Sequence, residues 1–177
     1  VGYPILDDWA VMVDGEIAPA DGQTPGEIVM RGNTIMSGYL KNPEATRAAF
    51  AGGWFRTGDV AVMHDDDYLQ IKDRLKDVII SGGENISSIA VENAVSGHPA
   101  VVAAAVVAKP DDKWGETPCA FVELKPGATA GESELAEFCR EKLPGFMRPR
   151  HFVFGELPKT ATGKIKKFEL RERAKTL

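Results

Sequence analysis

Three short segments bring together residue types suited to phosphates and hydroxyls. In GGWFRTGDV, Asp59 follows Thr57 and Gly58. A carboxylate accepts hydrogen bonds from two neighbouring hydroxyls, so a tight turn there could hold a ribose. An Asp after Gly is more often an ordinary turn residue. In IKDRLKDVIISGGENISS, Asp73, Arg74, Lys76 and Asp77 crowd together before an apolar stretch. Asp77 reads as part of a solvated, mutually paired charge run. Arg74 is different, because a planar guanidinium grips phosphate or ribose oxygens in a fixed geometry. Gly82 and Gly83 close a hairpin by accepting positive φ, and the same freedom lets backbone approach a ligand closely. LPKTATGKIKK, at 157–167, presents Lys164 from a Thr- and Gly-rich loop ahead of a basic helix. That suits a side chain that enters a site from outside and meets phosphate oxygens; the bland reading is a helix-capping turn followed by a solvated basic face. It is not a nucleotide P-loop, since one Gly precedes Lys164 and Ile165 stands where Ser or Thr would hold magnesium. A kinase-like reading is thereby disfavoured.

These residues need elements to place them. Up to about residue 74 the chain shows short apolar runs (AVMV at 10–13, GEIVMRG at 26–32, DVAVM at 59–63, YLQIK at 68–72) separated by Gly, Pro, Asp and Asn clusters. That pattern predicts a β-rich barrel or roll. It is interrupted by one surface helix in NPEATRAAF, capped by Asn42 with Pro43 at its first position. From about residue 75 strands alternate with helices. VIISGGENIS predicts a hairpin with a Gly-Gly turn, and SIAVENAVSGHP a helix ending near Gly97 and Pro99. AVVAAAVVA and PCAFVEL are buried strands. GESELAEFCREKL is an amphipathic helix with Leu135, Phe138 and Leu143 on one side; RHFVFGEL is a strand, and KKFELRERAKTL a basic helix. The boundary falls in KDRLKD. There is no internal repeat or low-complexity tract.

The 177 residues are 44% hydrophobic and 27% charged, enough for one globular domain or a small pair. A net charge of −5 gives no general attraction to nucleic acid or anionic membrane, so basic function must be local. The two cysteines, Cys119 and Cys139, lack metal-ligand spacing and suggest no disulfide framework, consistent with a reducing cytoplasm. No apolar run reaches the length of a membrane span, and no signal pattern opens the chain. VGYPILD starts without an initiator Met, as a piece of a longer protein would.

In this order, GGWFRTGD, YLQIKDRLKDVIISGGENISS, HPAV, KPDDKWGETPCAFV, LPGFMRP and LPKTATGKI resemble the adenylate-forming (AMP-binding) superfamily of acyl-CoA synthetases, luciferases and peptide-synthetase adenylation domains. No single string is specific, but the ordered set is, and it covers essentially the whole chain. SGGENISS with KWGETPCAFV is most similar to short- and medium-chain fatty acyl-CoA synthetases; coumarate ligases and luciferases commonly carry a lysine where Ile80 stands. The resemblance implies an α+β fold. Residues 1–74 would be the β-barrel tail of a large N-terminal domain, 75–77 a hinge, and 78–177 a small mobile C-terminal domain with a mixed or antiparallel sheet and flanking helices.

It further implies two half-reactions at one site: a carboxylate attacks the α-phosphate of Mg·ATP, giving acyl-adenylate and pyrophosphate, and the CoA thiol then displaces AMP. By motif position, Asp59 would bind the ribose hydroxyls and Arg74 the ribose and nearby phosphate oxygens. Lys164 would bridge carboxylate and α-phosphate, where its ammonium stabilises charge that grows toward the transition state. Lys76 would be the hinge residue, Gly82 and Gly83 would line the pantetheine tunnel, and Asn85 would face the site during adenylation. Two positions depart from the family. Ala90 replaces an acid near a helix start, a charge usually worth ~0.3–1 kcal/mol, while a second acid survives as Glu92. Asp67 stands where glycine is common, so His64 with Asp65, Asp66 and Asp67 reads as a hairpin turn and not a metal site.

The expected partners are a small carboxylic acid, ATP with Mg2+ bound mainly by the missing N-terminal region, and CoA. Neither nucleic acid nor membrane is among them, and a homo-oligomer would form through the missing domain. Lacking the phosphate loop and acyl pocket, residues 1–177 are expected to be inactive alone. Two alternatives remain: an enzyme that loads a carrier-protein phosphopantetheine, and a non-catalytic module that keeps the fold. Retention of Asp59, Arg74, Lys76 and Lys164 together argues against the second.

Overall fold

A computed structural model describes residues 8–177, and the chain divides into two compact units, Val1–Lys76 and Asp77–Leu177. The first contains β1 (Asp8–Val13), β2 (Glu16–Ile17), β3 (Gly26–Arg31), helix α1 (Pro43–Ala49), β4 (Phe55–Met63) and β5 (Leu69–Arg74). The strands form one antiparallel sheet in the order β2-β1-β3-β4-β5, whose path does not close on itself among the described residues. Alternation along the strands buries Val11, Ile28, Ala61 and Leu69 in one cluster. Helix α1 starts where Asn42 Oδ1 accepts the Ala45 N–H at 3.0 Å and Pro43 supplies a preset φ. None of its residues is buried, as its Ala-rich, stripe-free sequence predicts. In the β4–β5 turn, Asp67 takes a φ of +61°, a left-handed conformation that Asp tolerates better than most residues.

The second unit contains β6 (Ile79–Ser81), β7 (Glu84–Ile86), α2 (Ser88–Ser96), β8 (Val101–Asp111), β9 (Gly115–Leu124), α3 (Glu132–Lys142), β10 (His151–Phe154) and α4 (Lys167–Ala174). The sheet is mixed. Strand β9 pairs antiparallel with β8 along nearly its whole length, parallel with β10, and antiparallel with β6 through Ser81 and Gly115. Helices lie on both faces of the β8–β9 pair, so both strands bury side chains on either face. Hence AVVAAAVVA and PCAFVEL read as continuous apolar runs. The period of two sorts them into two cores. Ala104, Val106, Ala120 and Val122 pack with Val91 and Val95 of α2 and Leu135 and Cys139 of α3. Ala105, Val107, Cys119 and Phe121 pack with Leu157 and with Leu170 and Ala174 of α4. Phe121 is 1% exposed, and truncating it to Ala would cost ~3–5 kcal/mol.

The apolar stripe of α3 differs from the sequence reading. Leu135 and Cys139 are the buried pair, with Leu143 beyond the helix end, while Phe138 is half-buried with its ring edge-on to His98, centroids 4.9 Å apart. Cysteine packs as a small hydrophobe at the i+4 position. Cys119 and Cys139 belong to different cores and are free thiols. Burial raises the pKa of both, that of Cys119 to about 11, so they stay protonated and inert.

Candidate functional site

Asp59 does not sit in a tight turn. Thr57, Gly58 and Asp59 lie inside the continuous strand β4, where the register with β3 slips between the pairs Glu27–Val60 and Val29–Arg56. Three residues of β4 thus pass one of β3, and the bulge takes its positive φ at Gly58, +75°. Side chains pin it. Glu27 accepts the Gly58 N–H at 3.0 Å with one oxygen and pairs with Arg56 at 2.6 Å with the other. Thr57 Oγ1 donates to the Ile28 carbonyl at 2.9 Å and accepts the Asp59 N–H at 3.1 Å. Asp59 lies directly across from Arg74 on β5, and Arg74 Nε donates to Asp59 Oδ1 at 3.0 Å. Asp59 and Arg74 therefore form one clasp beside a shallow depression lined by Thr57, Gly58, Arg74, Leu75 and Lys76. The guanidinium side chain is 60% exposed, which leaves most of its donors available to a ligand. Lys76, exposed, follows in a single 3-10 turn, Leu75–Asp77.

In the second unit, Gly82 and Gly83 form a two-residue turn between β6 and β7, both at positive φ (+61° and +88°). That is the geometry in which a turn follows the right-handed strand twist. The turn is fastened to the β8–β9 loop. Asp111 Oδ1 accepts the N–H groups of Trp114 and Lys113, each at 2.9 Å, and the Trp114 bond above all holds the Asp111 carboxyl below its usual pKa. The loop so shaped lets the Trp114 carbonyl accept the Gly82 N–H at 2.9 Å and lays the Trp114 ring against Gly82. A Cβ at Gly82 would reach 2.8 Å from Trp114 Cε3, whereas at Gly83 it would meet nothing within 4 Å. Glu116 accepts the Ile80 N–H at 2.9 Å. Asn85 is exposed on β7, opposite Ile80.

Lys164 is exposed on a small loop closed by its own backbone. Thr160 donates its N–H to the Lys164 carbonyl at 2.8 Å, Lys164 returns its N–H to Thr160 Oγ1 at 3.1 Å, and Gly163 turns the chain at a φ of +84°. The root is held on β9, where Glu123 Oε2 accepts from Lys159 Nζ at 2.9 Å and from the Leu157 N–H at 3.2 Å. The Lys159 bond, then the Leu157 bond, lowers the Glu123 pKa below its ordinary value. The Gly-Gly turn meets β9 at Gly115 and the Lys164 loop meets it at Glu123. Eight residues of strand, roughly 26 Å at ~3.3 Å each, separate the two attachments. The two motifs occupy opposite ends of one strand.

Two readings of charged residues are corrected. Asp77 is not in a solvated local run; it is largely buried and pairs with Arg171 of α4, which lies 94 residues away. The basic face of α4 is not simply solvated either, since Lys167 Nζ lies 2.7 Å from Glu92 Oε1 and 2.8 Å from Ser88 Oγ. Asp111, Trp114 and Glu116 lie in KPDDKWGETPCAFV and Glu123 in PCAFVEL, but motif reading gave none of them a role. Their roles are backbone contacts, within the β8–β9 loop for Asp111 and to other segments for the rest. Among the described residues no group of three or more His, Cys, Asp or Glu side chains can hold a metal ion, and no helix is long and apolar enough to cross a membrane.

Residues 90–164 match the family model of the AMP-binding enzyme C-terminal domain. The chain is 60% identical over 168 residues to a peroxisomal acetate/butyrate–CoA ligase of Arabidopsis thaliana, covering 92% of this chain and 30% of that protein. It is 58% identical over 159 residues to a peroxisomal trans-cinnamate:CoA ligase of Petunia hybrida, covering 89% and 28%. The chain thus spans about 30% of the length of such relatives. Among solved structures, ATP-bound MatB from Rhodopseudomonas palustris superposes with a TM-score of 0.89 at 30% identity, covering 97% of this chain and 34% of that one.

Proposed function

The chain belongs to the adenylate-forming, AMP-binding enzymes, and from that premise we propose that the full-length protein is an AMP-forming acyl-CoA synthetase acting on a small carboxylic acid. The observation that carries the reading is the placement of the Gly-Gly turn and the Lys164 loop at opposite ends of β9. Two chemistries assigned to motifs whose attachments lie roughly 26 Å apart along one strand call for two presentations of the unit, one per half-reaction. Lys76, exposed at the last position of the first unit, is the residue about which the unit turns.

In the first half-reaction the Asp59 carboxylate accepts from the ribose hydroxyls, and Arg74 keeps its Nε on Asp59 while its free donors meet ribose and phosphate oxygens. Lys164 reaches from its loop to the substrate carboxylate and the α-phosphate; Asn85, on the hairpin of the Gly-Gly turn, is not placed beside it in this arrangement. The Lys164 ammonium lowers the barrier because negative charge grows there as pyrophosphate leaves. Mg2+ enters with ATP as part of the substrate. In the second half-reaction the Gly82–Gly83 turn replaces the Lys164 loop, and the open space at Gly83 passes the pantetheine so that the thiol attacks the acyl carbonyl and AMP departs.

The acetate/butyrate relative supports a short or medium fatty acid and a place in fatty-acid metabolism. Near-equal identity to the cinnamate relative means that residues 8–177 do not select the acid. For the compartment, the peroxisomal relatives stand against the cytoplasmic expectation, and fractionation against a peroxisomal marker decides between them. The function is tested by incubating the full-length protein with ATP, CoA and acetate, butyrate, octanoate or cinnamate. Carboxylate-dependent pyrophosphate release followed by acyl-CoA is expected; no release with any acid rejects the reading. Replacing CoA by a holo carrier protein identifies the acceptor.

A further inference from the structure

Lys164 lies three residues ahead of Lys167, the first residue of α4, and the helix it leads into has little to hold it by itself. Eight residues are too few for an autonomous helix, and its N-cap residue, Lys166, makes no side-chain capping bond. Leu170 and Ala174 pack into a core, and two basic side chains one turn apart, Lys167 and Arg171, anchor the same helix. Lys167 reaches Glu92 and Ser88 of α2, and the same Glu92 oxygen accepts the Val106 N–H of β8 at 2.8 Å. Arg171 reaches Asp77, the residue after Lys76. The side chains of both pairs are no more than 25% exposed. Partly buried pairs of this kind contribute little net stability but hold geometry, because leaving either partner unpaired is costly.

We propose that Lys167 and Arg171 are positioning residues for Lys164: through Glu92 and Asp77 they join the Lys164 loop, α4, α2 and the residue beside Lys76 into one rigid piece. The proposal rests on the reading of Lys164 as the adenylating lysine. Rotation about Lys76 starts at Asp77, passes through Arg171 into α4, and arrives at Lys164 with little slack. A lysine that meets the reacting phosphate only in one presentation needs that stiffness, because misplacement by about 1 Å can cost roughly 10²-fold in rate.

The test uses the full-length enzyme with Lys167→Met, Lys167→Arg, Glu92→Gln and Arg171→Met. Measured are carboxylate-dependent pyrophosphate release, thioester formation from supplied acyl-adenylate, and hydrogen exchange of the amides at 160–166. Lys167→Met is expected to lower kcat for adenylation by roughly 10²-fold, with KM for ATP little changed, and to speed exchange in the loop. Lys167→Arg should restore most of the rate, and the thioester step should stay near wild type in every variant. Equal loss in both half-reactions marks the pair as merely structural and overturns the proposal, as does unchanged adenylation. If Lys167→Met does not fold, Glu92→Gln, which keeps an acceptor for Val106, decides by the same criteria. If the wild type adenylates no acid, the functional reading fails first; the exchange measurement then still judges the clamp, and unchanged exchange at 160–166 rejects it.

Discussion

The Gly82–Gly83 turn and the Lys164 loop attach at opposite ends of one strand, and they are held by different means. The first is two glycines at positive φ between two three-residue strands, fastened to the β8–β9 loop by the Trp114 carbonyl and ring. The second is a local hydrogen-bonded loop tied to distant residues, to Glu123 at its root and, through Lys167 and Arg171 of the helix that follows, to Glu92 and Asp77. At Gly83 the turn leaves open space, as the proposed thiol path needs. A loop that delivers a charge, as proposed for Lys164, needs bracing.

The contrast is broken most strongly at Lys164. Lys164→Ala in the full-length enzyme should lower pyrophosphate release by about 10²–10³-fold while leaving CoA capture of supplied acyl-adenylate near wild type. Equal loss of both steps would end that division of labour. Gly83→Trp should do the reverse, slowing thioester formation by roughly 10²-fold with pyrophosphate release preserved; impaired release would remove Gly83 from the thiol path. The turn itself separates its two glycines. Gly83→Ala has room and costs only its left-handed backbone, about 1–2 kcal/mol. Gly82→Ala adds overlap with the Trp114 ring, ~1–3 kcal/mol more, so urea midpoints should rank it clearly below Gly83→Ala.

The smallest effect concerns the root of the Lys164 loop. The Glu123 carboxyl is held below its ordinary pKa, through the hydrogen bond from Lys159 first, so its contribution is present above that ordinary value. It is lost as pH falls through the lower folded-state value. Because the pair is partly solvated, the gain is ~1 kcal/mol or less. Glu123→Gln should therefore unfold slightly more easily than wild type above about pH 5, and the two curves should converge in acid. A difference that widens in acid would reverse the sign of the assignment.

Much of the fold was legible because its signals are local. The Gly-Gly turn, the Asn42-Pro43 helix start, the left-handed Asp67 and the apolar strands at 101–107 and 118–124 each follow from residue types within a few positions. Asp59 was misplaced because a bulge and a turn share the same cue, a glycine at positive φ, and only the partner strand tells them apart. Phe138 was misassigned for Cys139 because cysteine packs as a hydrophobe without looking like one. Asp77 was read against its sequence neighbours, yet its partner Arg171 is 94 residues on.

By itself the sequence determined the family, through the ordered motifs; the strand and helix types, through periodicity; and the candidates Asp59, Arg74, Lys76, Gly82, Gly83, Asn85 and Lys164. Tertiary structure decided which of them meet. It set Arg74 on Asp59 across two strands, laid Trp114 against Gly82, and sent the Gly-Gly turn and the Lys164 loop to opposite ends of β9. The physical reason is one of range. Dihedral preferences and hydrophobic period act over a handful of residues, whereas strand register and ion pairing join residues whose separation along the chain carries no signal.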